Sequence, residues 1–355
     1  ACRSSTDIGR RADRQAPAQP RSVQPRSAQP TIVMGALRDL SVSQQIGLLF
    51  VLLFGLLAIV SIVATTRSVR ERTPEDQERF DRFVRDLRAV WLGAVLFWVA
   101  WASGAFVSTL LFGVLSFVAL REFVTLTQTR RGDHRSLLLA FFVVLPLQYG
   151  IVATEHFDLF TVFIPVYVFL AIPLVSAFGN DPTRFLERTA KIQWGIMVCV
   201  YGMSHAPALL LLDLPRYEER GAFMVLYLVL VVASAQIVQE VASRWLRRRP
   251  VARAISRSFS WRAWWLGALS AGIVGAALYW ATPFKPIPAL VMGFIAGGSG
   301  SFGEFVMKAL KKDAGVRSWG GKLAVTGAVG LLDRVAPLCF AAPVFFHAVR
   351  WYFSL

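Results

Sequence analysis

Acidic residues, cysteine and histidine are all scarce in this sequence, and each scarcity closes off a class of protein. Asp and Glu number 22 against 38 Lys and Arg, and only 17% of the 355 residues are charged, where a soluble domain carries about a quarter. The three cysteines, Cys2, Cys199 and Cys339, form no CxxC spacing, so neither a disulfide framework nor a thiolate zinc site is expected. The four histidines (His134, His156, His205, His347) are scattered, which argues against a histidine metal cluster. Residues 1–35, rich in Arg, Pro, Gln and Ser, contain no apolar run. They read as the body of a disordered basic tail over 1–40, not as a secretory signal peptide. Met34 stands just before the first ordered-looking segment.

What the chain has in their place is long apolar runs. It is 55% hydrophobic with mean hydropathy +0.52. Stretches without Asp, Glu, Lys or Arg cover 46–66, 89–120, 136–154, 159–180, 192–212, 221–239, 263–284, 286–303, and 323–332 continuing past a charge pair to 349. About 20 apolar residues at a rise of 1.5 Å cross a hydrocarbon core of roughly 30 Å. The backbone there must satisfy its own hydrogen bonds, which dictates helices. The expected fold is therefore an all-α integral membrane protein, a polytopic bundle of about nine transmembrane helices. Run 89–120 exceeds one ordinary span. It is either one long tilted helix or a pair split near Ser103-Gly104.

The net charge of +16 fits Arg-rich cytoplasmic loops beside anionic lipid better than nucleic-acid binding, since no nucleic-acid motif or stacking array is present. Segment 243–262 holds seven Arg and no acid, and 308–322 holds Lys308, Lys311, Lys312, Arg317 and Lys322. Segment 121–135 is a third basic loop. The alternate connections carry Glu155 and Asp158, then Asp213, Glu218 and Glu219. Positive loops stay inside, so these three are expected on the cytoplasmic face of the cell membrane and the C-terminus on the other. Glycines such as Gly297, Gly298, Gly300 and Gly303 read first as close helix packing.

Two acids need an explanation. Glu304 follows an apolar run of 18 residues, and Asp333 sits within GAVGLLDRVAPLCFAAPVFFH. A carboxylate near a membrane core is costly and faces a partner, a bundle interior or a water-filled cavity. The expected topology ends the helix of Glu304 on the cytoplasmic side and starts the next there, with Asp333 in its first turn. Two carboxylates at one leaflet, joined by a basic loop, suit a divalent cation that bridges phosphates while Lys311, Lys312, Arg317 and Arg334 neutralise charge. The alternative is plain ion pairing: Glu304 and Lys308 are spaced i,i+4, and Asp333 and Arg334 can find interhelical partners or snorkel.

At these residues the chain resembles the phosphatidate cytidylyltransferases. That family's C-terminal signature has a Gly-Asp pair, a Lys-Arg pair, Ala-Gly-Ile-Lys-Asp, and Leu-Asp-Arg. Gly303-Glu304 falls on the first, Lys311-Lys312 on the second, Ala314-Gly315-Val316-Arg317 on the third and Leu332-Asp333-Arg334 on the last, with Pro343-Val344-Phe345 matching the final helix. Leu120-Arg121-Glu122-Phe123 resembles the family's first cytoplasmic loop. The resemblance implies a cytidylyltransferase-like transmembrane domain over 131–355, its signature at 303–345, after transmembrane segments and a polar loop at 41–130. It implies the reaction CTP + phosphatidate to CDP-diacylglycerol + diphosphate, in which a phosphatidate oxygen attacks the α-phosphorus of CTP. Asp333 and Lys311 are the implied catalytic residues, Lys312, Arg317, Arg334 and Lys308 bind substrate, and Glu304 and Asp333 hold Mg2+, with a second cation as an option. Membrane phospholipid and a second copy of the chain are further expected partners; nucleic acid is not.

The chain also departs from the family. Glu304 replaces Asp, Lys308 replaces Ser and Lys312 replaces Arg. Ser318 displaces an Asp, Ala328 and Val329 replace His-Gly, and Ala336 replaces the last Asp. A Ser-Pro-x-Lys-Thr-x-Glu-Gly motif has its counterpart in 256–263, with Phe259 for Lys and Arg262 for Glu, and an earlier acidic position falls at Gln236. These departures keep open an inactive paralogue that binds anionic phospholipid or another membrane protein. A transporter is disfavoured, because neither an inverted repeat nor acids at the midplane of several spans are present.

Overall fold

The computed structural model describes residues 40–68, 74–127, 130–214, 217, 220–246, 250–256, 259–316 and 330–355. These form ten helices and no strand. Helix α1 is Val42–Ser68, α2 is Pro74–Ser103 and α3 is Ala105–Leu126; α4 covers residues 134–153, α5 is Phe157–Ala177 and α6 covers 185–210. Helix α7 is Gly221–Leu246, α8 is Trp261–Ala277, α9 is Pro286–Asp313 and α10 is Leu331–Phe353.

Local sequence accounts for the helix ends. Ser41 and Gln44 form a reciprocal cap at α1: the Ser41 N–H donates to Gln44 Oε1 at 3.0 Å and the Gln44 N–H to Ser41 Oγ at 3.3 Å, as the S-x-x-Q spacing predicts. The long run 89–120 is divided at Gly104, whose φ of 87° lies where a side chain is disfavoured, so the pair of helices is the correct alternative. Ser260 caps α8 by accepting from the Ala263 N–H at 3.3 Å. Helices α4, α5 and α6 each contain a π-helical turn, at Ala140–Val144, Phe163–Val168 and Ile196–Gly202.

Seven of the ten helices are long and apolar enough to cross a membrane: α1, α3, α4, α5, α7, α9 and α10. The sequence led to about nine, and the difference has local causes. The apolar run 192–212 forms only part of α6, whose first turns carry Glu187, Arg188 and Lys191. The run 263–284 yields a 17-residue α8 before the chain turns at Tyr279–Ala281. Segment 121–135 is also not wholly a loop: α3 continues to Leu126, which places Leu120-Arg121-Glu122-Phe123 inside a helix.

Two buried clusters organise the bundle. One joins α7, α8, α9 and α10 around Tyr227, Phe284, Phe345 and Phe346; the other joins α3 to α6 with α10 around Leu120, Ile172, Met203 and Cys339. Helix α10 contributes to both, and Val152, Phe160 and Ala208 in the first cluster and Met307 in the second make further links between them. Helices α7, α8 and α9 approach closely because small residues line their contacts: a Cβ at Gly293 would stand 2.6 Å from the Ala271 carbonyl oxygen. In lipid, where apolar burial gives no net drive between helices, such approach supplies the dispersion contacts that hold them. At the start of α4, buried Arg188 pairs with Asp133 at 3.0 Å and Asp181 at 2.6 Å. This clasp ties the α5–α6 connection to the segment before α4.

Candidate functional site

Helix α9 ends in a basic turn, and its last four turns build the site. Successive helical residues are rotated by about 100°, so Glu304, Lys308 and Lys311 share one face, with Lys312 at its edge. Helix α10 packs beside this face: a Cβ at Gly303 would lie 2.6 Å from Phe340 Cβ, and one at Gly300 would lie 3.2 Å from the Pro337 carbonyl oxygen. The two helices run antiparallel and bring Asp333, in the first turn of α10, to Lys311; Lys311 Nζ donates to Asp333 Oδ1 at 2.5 Å. Lys308 pairs with Glu304 at 2.6 Å. The two acids thus lie at the same end of neighbouring helices, as expected. Each is neutralised by a lysine of α9, which the i,i+4 spacing foresaw for Glu304 and nothing local foresaw for Asp333. The side chains of Lys311 and Asp333 are 18% and 25% exposed, so the pair is sheltered yet reachable.

On the other flank of this face lies a cavity of about 750 Å3, lined by Glu240, Ser243 and Arg244 at the end of α7, by 253–256 of the following loop, and by Lys308 and Lys312. Among the described residues that line it, Arg244, Arg253, Lys308 and Lys312 are cations; Glu240 is bonded to Arg244 Nε at 3.0 Å and Lys308 is held by Glu304 at 2.6 Å. The loop is pinned by the Val251 N–H, which donates to the Phe259 carbonyl at 3.0 Å. Phe259 is buried against Phe305, with ring centroids 4.4 Å apart. The position that matches the family's lysine is therefore a hydrophobic anchor for the cavity wall, and buried Ser256 lines the cavity itself. Arg262 lies exposed in the first turn of α8.

Polar residues continue along α7 and α9. Gln236 and Gln239, one turn before Glu240 and Ser243, each hold a buried amide atom without a protein partner, and so does the Ser301 hydroxyl of α9. Unpaired buried polar atoms of this kind call for water or a ligand group. Of the residues singled out by sequence, the structure gathers Glu304, Lys308, Lys311, Lys312 and Asp333 at one end of the bundle. Arg334 is exposed beside Asp333 on α10. Arg317, Ser318, Ala328 and Val329 lie outside the described residues.

Sequence reasoning missed two parts of the site. One is Arg244 and Arg253, counted there only as loop charge. The other is Glu122, 2% exposed near the end of α3, whose Oε1 accepts from the Leu331 N–H at 3.2 Å and whose Oε2 accepts from the Leu332 N–H at 2.9 Å. The sequence marks Leu120-Arg121-Glu122-Phe123 only as resembling a cytoplasmic loop and gives no sign of these backbone partners.

The cytidylyltransferase family model matches residues 83–352, a span that runs from within α2 into the last turn of α10 and includes every element of this site. The chain belongs to the cytidylyltransferase family. A curated relative from Escherichia coli K12, the uncharacterized protein YnbB, is 31% identical over 303 residues, covering 84% of this chain and 96% of the relative. Membership supports a CTP-using nucleotidyltransferase built into a membrane.

Proposed function

We propose that the chain is a phosphatidate cytidylyltransferase: CTP and phosphatidate give CDP-diacylglycerol and diphosphate. The observation that carries the reading is the cationic cavity against the Lys311–Asp333 pair, inside the segment that resembles the family signature. Lys308, Lys312, Arg244 and Arg253 offset the triphosphate charge. A phosphate oxygen of phosphatidate forms the new bond to the α-phosphorus, and the bond to the bridging oxygen breaks, so diphosphate leaves with its electron pair. Lys311 would stabilise the charge that builds on the leaving group. The acyl chains stay in the bilayer, with the basic end on the cytoplasmic side of the cell membrane.

Magnesium brought in with the nucleotide is part of the same proposal, and Glu304 and Asp333 would be the residues to hold it. Glu304 and Asp333 are two partly exposed carboxylates, and magnesium is held by one or two carboxylates with phosphate and water completing its octahedron. Among the described residues no three His, Cys, Asp or Glu side chains gather as an all-protein cage. When bound, the metal would screen the phosphate oxygens; Lys308 and Lys311 would then exchange their carboxylate partners for phosphate.

A second reading is favoured by one observation. Both acids are already matched by lysines, and Phe259 takes the family lysine's place in an aromatic wall. That arrangement suits a protein that holds an anionic headgroup without transferring anything. Purified protein in phosphatidate-containing vesicles, given CTP and magnesium, decides between the two. Formation of CDP-diacylglycerol, lost in Asp333→Asn, is the expected result. Lipid binding without product from the native chain would leave the second reading standing.

A further inference from the structure

Helix α10 begins in an unusual way. The first four N–H groups of any helix lack partners within it, and an N-cap Ser, Thr, Asp or Asn usually serves them. Here the N-cap is Gly330, with φ 75° and no side chain to offer. Asp333 stands at the third helical position, where an acid commonly folds back on its own helix start. Its Oδ1 accepts from Lys311 of α9. Glu122, some 210 positions earlier in the chain, lends one carboxylate oxygen each to the Leu331 and Leu332 N–H groups. The positive end of the α10 dipole is thereby matched by a buried anion. A helix N-terminus is otherwise a ready site for phosphate, and this one is already filled from α3.

We infer that Glu122 is a positioning residue, which caps α10 from another helix and so leaves Asp333 turned toward Lys311. The inference rests on the proposed role of Asp333, but its geometry can be measured without any turnover. Two consequences follow. Removal of the Glu122 carboxylate exposes the first amides of α10, and it gives Asp333 a competing task, capping its own helix, which draws it from Lys311. With Glu122 in place the Leu331 and Leu332 amides are taken, and the phosphates of a substrate are left to lysine and arginine side chains.

The test uses the full chain in lipid nanodiscs, with Glu122→Ala and Glu122→Gln beside the native protein; the Gln variant keeps the shape and one acceptor. Hydrogen exchange of the Leu331 and Leu332 amides should quicken by about tenfold in Glu122→Ala and less in Glu122→Gln, a scale set by the loss of one helix cap. Reductive methylation of Lys311 should quicken in the same order as its carboxylate partner turns away. CTP-dependent lipid product should show kcat lowered with the KM for CTP little changed. Unchanged exchange at Leu331 and Leu332 would overturn the cap. Faster exchange with unaltered Lys311 labelling and kcat would overturn the positioning role. If the native chain makes no product, the proposed function fails by itself, and the exchange and labelling results still decide the role of Glu122. If Glu122→Ala does not fold, Glu122→Gln carries the test.

Discussion

The Lys311–Asp333 pair joins α9 to α10 across the site, and its strength can be measured apart from any chemistry. At an effective dielectric of about 20, unit charges 2.5 Å apart attract by roughly 7 kcal/mol before costs. Desolvation and side-chain ordering remove most of that. Exposed pairs net about 0–1 kcal/mol, and breaking a fully buried pair costs about 3–5 kcal/mol. With exposures of 18% and 25%, this pair stands between those limits, so a coupling of about 2 kcal/mol is expected. The perturbation is a cycle of Lys311→Met, Asp333→Asn and the double variant, read by reversible unfolding in mixed micelles. Each single change should destabilise, and the double change should cost about 2 kcal/mol less than the sum of the two. The Glu304–Lys308 pair, within one helix, should couple by no more than about 0.5 kcal/mol. Additivity at Lys311 and Asp333 within about 0.5 kcal/mol would mean the two side chains do not depend on each other, and the interhelical link would be refuted.

Other predictions test neighbouring features. Gly303→Ala would set a Cβ 2.6 Å from Phe340 Cβ and should lower stability by about 1–3 kcal/mol through overpacking; an unaltered unfolding midpoint would contradict the close α9–α10 contact. Lys312→Ala and Arg253→Ala should each weaken CTP binding by about tenfold, a loss that shrinks as salt rises; titration with labelled CTP at two ionic strengths checks this. Asp181, outside the spans, has its carboxyl held below the usual range, first by hydrogen bonds from Thr183 and then by Arg188. A depressed folded value means its contribution is present above the ordinary carboxylate range and lost as pH falls through the folded value. The thermal stability of the native chain should therefore decline on the acid side, and Asp181→Asn should flatten that limb; identical acid limbs would refute the contribution of Asp181.

Much of the helical layout was legible because lipid leaves the chain few choices. Uninterrupted apolar runs gave the helices, and the glycine after Ser103 marked where the longest run divides. Counting spans was harder. Whether 263–284 remains one helix depends on the turn at Tyr279–Ala281, and whether α6 counts depends on charges in its first turns, which a scan of apolar runs passes over. The placement of Glu304 and Asp333 at one end followed from helix order alone. Their lysine partners followed only half-way: Glu304–Lys308 is a local spacing, while Lys311–Asp333 depends on how α9 and α10 are rotated against each other. Glu122 was illegible for a stronger reason. Its partners are backbone amides some 210 residues away, and no side-chain pattern announces a backbone contact. Phe259 shows the converse case. Sequence comparison marks it as a lost lysine, and packing shows that it gained the work of holding the cavity wall.

The central claim is that this cavity directs attack on the α-phosphorus of CTP. The most direct measurement gives the purified chain magnesium and phosphatidate, with CTP labelled at the α-phosphorus in one reaction and at the γ-phosphorus in another. The account predicts α-label in the lipid product and γ-label in diphosphate, in equal amounts. Label entering lipid from the γ position, or lipid that stays unlabelled in both reactions, would contradict it.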